Sequence, residues 1–154
     1  MRSAALPFFA LCLLMPGRAS AAKVCPWVTQ GSADVVLGGD STTVVGVSES
    51  GEGVCTFRLD QGGSTNTLRV AVGKAAEGSC PAGSPALAGI GNEATICTAR
   101  RSHSEVVETI FSRVREKHFT VSITIRRKSS QPPEVGHFED AIKQIAEQVA
   151  GNLF

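Results

Sequence analysis

From Phe119 to Ile125 the chain reads Phe-Thr-Val-Ser-Ile-Thr-Ile, a strict alternation of apolar and hydroxyl-bearing residues. Successive side chains of a strand point to opposite faces, so this segment buries one face and leaves the other polar. A lone strand also leaves its backbone donors and acceptors unpaired. The chain must therefore build a sheet around this segment, with one face covered and one open.

The segment before it is the one ambiguous stretch. Ser102-x-x-Glu105 has the form of a capping box, and Val106, Val107, Ile110, Phe111 and Val114 recur at helical spacing. The demand of 119–125 for a partner decides for a strand over 108–115 instead. A tight turn at Glu116-Lys117 pairs Val114 with Phe119 and Ile110 with Ile123, all facing one side. Further strands are expected at 42–49, 54–59, 68–72 and 94–99. Turns are expected at Ser50-Gly-Glu-Gly53, at the polar run 61–66, and at Arg100-Arg-Ser-His-Ser104. Residues 73–85, rich in Gly, Ala, Ser and Pro, read as a loop.

Two helices frame the strands. Thr29 is placed to cap residues 30–37, where Ala33, Val36 and Leu37 share a face before Gly38-Gly39 stops the helix. Near the end, Phe138, Ile142, Ile145, Val149 and Leu153 recur at three and four residues. That stripe should lie on the sheet, in a helix running to Gly151. The expected architecture is α+β: one antiparallel sheet of about six strands, drawn as a meander, with a short N-terminal and a longer C-terminal helix packed on it. Trp27, the only tryptophan, is expected to be buried beside a cystine.

The first residues belong to another function. Arg2, an apolar run from Ala4 to Met15, the breaker Pro16-Gly17 and the small residues Ala19-Ser-Ala21 compose a signal peptide. Residues 1–21 are read as that signal and 22–154 as a single exported domain, periplasmic or extracellular. The apolar run is too short to span a bilayer, and no transmembrane segment is expected in the mature chain. Val24 before Cys25 and Leu11 before Cys12 both lack the small residue that lipobox acylation requires.

Cys25, Cys55, Cys80 and Cys97 remain after the signal, and four cysteines in an exported domain read as two disulfides. Three pairings are open to them. The expectation is Cys25 with Cys55 and Cys80 with Cys97, because each joins neighbouring segments. Zinc is not expected, since there is no Cys-x-x-Cys pair and His103, His118 and His137 fall in no ligand pattern.

Loss of Arg2 and Arg18 takes Lys+Arg from 15 to 13 against 14 Asp+Glu, a formal charge near −1. This balance gives no general attraction to nucleic acid. The absence of tyrosine, with 5% aromatic residues, disfavours stacking platforms for sugars or single strands.

No catalytic constellation emerges, and no cofactor is expected. Gly89-Ile-Gly91-Asn-Glu-Ala94 matches G-x-G-x-x-A in form only: Ser84-Pro85-Ala86 precedes it, and the β-favouring Thr95, Ile96 and Cys97 follow. Gly89, Gly91, Asn92 and Glu93 are read as a structural turn, in which the glycines allow positive φ or close backbone approach and Glu93 holds backbone amides. Gly73-Lys74 lacks the spacing of a phosphate loop. His103 between Ser102 and Ser104 has no accompanying nucleophile elbow and reads as a solvated turn.

One cluster suggests a working surface. In a meander, the ends of the 94–99 and 119–125 strands share an edge, gathering Arg100, Arg101, Arg126, Arg127 and Lys128 against Glu105, Glu108 and Glu134. An anionic envelope component or acidic protein surface could dock there. The favoured function is a non-catalytic binding or accessory domain. The alternatives are a small secreted hydrolase, or an inhibitor or envelope-stability protein acting through a protruding loop at 73–85.

Cys25-Pro-Trp27, the Gly38-Gly39 stop, Cys55-Thr-Phe57, Gly89-Ile-Gly-Asn-Glu-Ala94, Arg113-Val-Arg115 before Phe119, and the ending Ala146-Glu-Gln-Val-Ala-Gly-Asn-Leu-Phe154 act together. They resemble uncharacterised small secreted or lipoprotein-like bacterial domains with a Gly-(Asn/Asp)-Glu-Ala turn, similar to the extracellular sensor domains of mycobacterial receptor kinases. The resemblance implies a disulfide-held antiparallel sheet flanked by helices, outside the cytoplasm. It implies no chemistry.

Overall fold

A computed structural model describes residues 24–128 and 138–154. The signal segment, Cys12 and Glu134 lie outside the described residues. Helix α1 spans Gln30–Leu37, with the Thr29 hydroxyl accepting from the Ser32 backbone N–H at 3.1 Å and Gly38 closing it at φ 85°. Both ends follow from residue type: a hydroxyl satisfies an orphan amide, and glycine adopts the left-handed cap without a Cβ penalty.

Six strands follow: β1 Thr42–Val47, β2 Gly53–Gln61, β3 Ser64–Gly73, β4 Glu93–Ser102, β5 Glu105–Val114 and β6 Lys117–Arg127. The 15-residue helix α2, Glu139–Leu153, completes the chain. All pairs are antiparallel, so the α+β layout with one six-stranded sheet and two helices is the observed fold.

The strand order is not that of a simple meander. It runs β1-β2-β3-β6-β5-β4, two three-stranded meanders joined at β3 and β6. β4 is not beside β3; residues 74–92 carry the chain across to the far edge. The centre belongs to the strands with the most complete apolar sets. Leu68, Val70 and Val72 of β3 lie beside Ile123, Val121 and Phe119 of β6, and all are buried.

The turns are tighter than the sequence suggests. Gly62 and Gly63, at φ 57° and 78°, make a two-residue loop, so β3 begins at Ser64 and the expected long turn at 61–66 is mostly strand. Likewise β4 continues through Arg100 and Arg101, with an irregularity there, and only His103 and Ser104 turn. The β5–β6 loop is Arg115-Glu116 rather than Glu116-Lys117. Arg115 takes φ 54°, and the register pairs Val114 with Lys117, Ile110 with Val121 and Ser112 with Phe119. The displacement of two residues from the expected pairing preserves the buried face, because the strand period is two.

Both helices cover the same face. α1 packs on β2 and β3, and α2 on β5 and β6. Between them and the sheet lie Phe57, Leu68, Ile110, Ile123, Ile142 and Ile145, each at most 2% exposed. Trp27 is 3% exposed beside the buried Cys25–Cys55 disulfide, and the Asn152 side chain donates to its carbonyl at 2.9 Å. This bond ties the segment before α1 to the end of α2. The second disulfide, Cys80–Cys97, stands on the opposite face.

Candidate functional site

The five residues expected to form a cationic cluster lie toward one end of the sheet. There the Gly62-Gly63 loop, the His103-Ser104 turn and the end of β6 meet: the Arg127 N–H donates to the Ser104 carbonyl, and the Lys128 N–H to the Gly63 carbonyl, both at 2.9 Å. Arg100, Arg101, Arg126, Arg127 and Lys128 are all exposed. A shallow depression at this end is lined by Gly62, Gly63, Ser64, Arg127 and Lys128.

Strand alternation divides the five between two faces. Arg100 pairs with Val106 and Arg127 with Ser64 at positions in phase with the buried residues of their strands, whereas Arg126 lies on the open face. Arg126 is also committed: its Nε and Nη2 both donate to Glu105, at 2.9 and 2.6 Å. Glu108, expected among the opposing surface carboxylates, is 1% exposed and sits between Thr98 and Ile123 in the register. Exposed at this end are thus Arg101, Arg127 and Lys128, with Arg100 adjoining them and Lys128 near enough to Asp60 to help hold its carboxyl down.

The open face has a different character. Its central positions are Thr67, Thr109, Ser122 and Thr124, and four arginine–carboxylate pairs stand around them: Arg58–Asp60, Arg69–Glu77, Arg113–Glu93 and Arg126–Glu105. Arg58 holds Asp60 in two hydrogen bonds, at 2.8 and 3.0 Å, and Thr65 adds a third. The Arg58 bonds and then the Thr65 bond bring the Asp60 carboxyl down to about 2. Glu77 is lowered for the same reason by Arg69. These ion pairs leave the face close to neutral.

The connection at 74–92 is tied to this face at several points. Glu77 reaches Arg69 of β3, Gly78 sits against the Phe111 ring of β5, and Cys80 is bonded to Cys97 of β4. Pro85 and Leu87 then hydrogen-bond to the outer edge of β4. Between these ties residues 81–83 are exposed.

The turn at Gly89 to Glu93 is built by close approach. Gly89 and Gly91 have φ 83° and 64°, and the Ser112 hydroxyl donates to the Ile90 carbonyl at 3.0 Å. Asn92, not Glu93, holds the backbone: its N–H donates to the Arg113 carbonyl at 2.7 Å, and its side-chain oxygen accepts from the Arg115 N–H at 2.8 Å. Glu93 takes the Arg113 Nε at 2.7 Å. His103 is exposed on its turn, where the Ser102 and Ser104 hydroxyls lie 3.2 Å apart.

Among the described residues, no three His, Cys, Asp or Glu side chains are grouped to hold a metal ion. No described helix is long and apolar enough to cross a membrane. No family model matches the sequence, and no curated protein matches it either.

Proposed function

We propose that the chain is an exported, non-catalytic binding domain, working in the periplasm or outside the cell, that holds an anionic envelope component at the basic end of its sheet. The observation that supports this reading is the exposed trio Arg101, Arg127 and Lys128, which β4 and β6 carry to the same end of the sheet with β5 between them. Near neutral overall charge makes such a local concentration the natural source of any electrostatic recognition. On the open face Arg58, Arg69 and Arg126 each hold a carboxylate through two hydrogen bonds, which leaves them poor partners for a further anion. Two disulfides suit an oxidising compartment.

The test is retention of the oxidised protein on envelope fractions at low salt, compared with Arg101→Ser/Arg127→Ser/Lys128→Ser. Binding that falls with added salt and is lost in the triple variant supports the reading. Equal retention of the two proteins removes it. Screening shortens the electrostatic reach to about 3 Å at 1 M salt, so retention of the parent should vanish there.

A further inference from the structure

Beneath the connecting loop lies a cavity that the basic end does not involve. Its volume is about 250 Å³, and it opens between Ala76 and Ser79 of the loop and Thr95, Phe111 and His118 of the sheet, with Arg113 and Glu93 beside them. The Cys80–Cys97 disulfide and the Arg69–Glu77 pair hold the loop in place above it. The space is thus preformed rather than a gap between mobile parts.

Several of its polar side chains are unspent. The side chains of Ser79, Thr95 and His118 make no hydrogen bond among the described residues. Glu93 engages only the Nε of Arg113, which leaves the Nη donors of that guanidinium uncommitted. Arg113 and His118 are direct cross-strand partners on the same face, so both basic groups stand together. A guanidinium with its fork free is suited to a carboxylate, which it can take in two parallel hydrogen bonds. The half-buried Phe111 ring offers a flat apolar surface next to these donors. A cavity of about 150 Å³ suffices for benzene, so this one admits a single ring bearing a small polar group.

We infer that this cavity is a binding site for a small aromatic carboxylate, its ring on Phe111 and its carboxyl group on Arg113 and His118. The site is independent of the basic end and of the anionic partner proposed there.

The probes are benzoate and its neutral counterpart benzamide, titrated into the ¹⁵N-labelled, disulfide-intact protein and followed by amide shifts. Benzoate should shift Ala76, Ser79, Thr95, Phe111 and His118 saturably and bind at least tenfold more tightly than benzamide. Phe111→Ala and Arg113→Gln should each weaken binding about tenfold. Ala76→Leu, which narrows the cavity without removing any ion pair, should weaken it as much with an unchanged thermal midpoint. Shifts that fail to saturate, equal affinity for the two probes, or shifts confined to Arg127 and Lys128 would overturn the assignment. So would undiminished binding by Ala76→Leu. The triple variant at the basic end should bind benzoate like the parent, which separates failure of this site from failure of that surface.

Discussion

Gly91 lies against the Arg113 carbonyl so closely that a Cβ on it would fall 2.4 Å from that oxygen. The same methyl would meet the Ser112 hydroxyl at 2.9 Å, and Gly91 already has φ 64°. Backbone cannot yield as a flexible side chain can. Gly91→Ala should therefore cost about 2–4 kcal/mol, whereas Gly89→Ala, strained in φ alone with open space around it, should cost about 1–2 kcal/mol. Urea unfolding of the two variants checks the order, and equal midpoints would show that close approach is not what constrains this turn.

The two disulfides should differ in accessibility more than in entropic contribution. Closing sequence separations of 30 and 17 residues, each stabilises by about 3–4 kcal/mol through the unfolded chain. Cys25 and Cys55 are 6% and 0% exposed, while Cys80 and Cys97 are only half-buried. Under mild reductant Cys80–Cys97 should open first. Mass spectrometry of alkylated intermediates reads the sequence of events, and earlier labelling of Cys25 would contradict it.

Asp60 provides a prediction in pH. Its folded carboxyl is held near 2 against an ordinary 3.8, so the ionised form contributes stability above the ordinary value, and that contribution is lost as pH falls toward about 2. Removing the main cause, with Arg58→Gln, should return the Asp60 titration most of the way to its ordinary range. Carboxyl-carbon NMR follows it directly. An unmoved midpoint would assign the effect to Thr65 instead.

Phe57 is 1% exposed where β2 meets the helix-covered core. Phe57→Ala should cost about 3–5 kcal/mol, from lost burial and the cavity left behind. Val44, 72% exposed on the edge strand β1, should tolerate Thr within about 0.5 kcal/mol. Thermal denaturation of both variants tests whether the core lies on one face of the sheet alone.

Much of the fold was legible because it rests on local rules. Alternation over Phe119 to Ile125 required a half-covered sheet, Thr29 and Gly38 bounded α1, and the stripe from Ile142 to Val149 marked α2 as the cover. The disulfides joined neighbouring segments, as short loops favour. The candidate surface was legible only in part. Arg101, Arg127 and Lys128 do share an end, but β alternation separates Arg126 from Arg127, and Glu108, which looks like a surface residue in the sequence, is buried. The cavity left no linear signal, since Ser79, Thr95, Phe111 and His118 come from three strands and a loop.

What the amino-acid order determined by itself is the set of elements, their buried faces and the disulfide-held character of the domain, because each depends on periodicity or on a few adjacent residues. The tertiary structure decided which strands are neighbours. Nothing local distinguishes β3 beside β4 from β3 beside β6. That choice follows from burying Leu68, Val70 and Val72 against Phe119, Val121 and Ile123 at the centre, and it sends residues 74–92 across the open face, where the loop and sheet together form the open cavity.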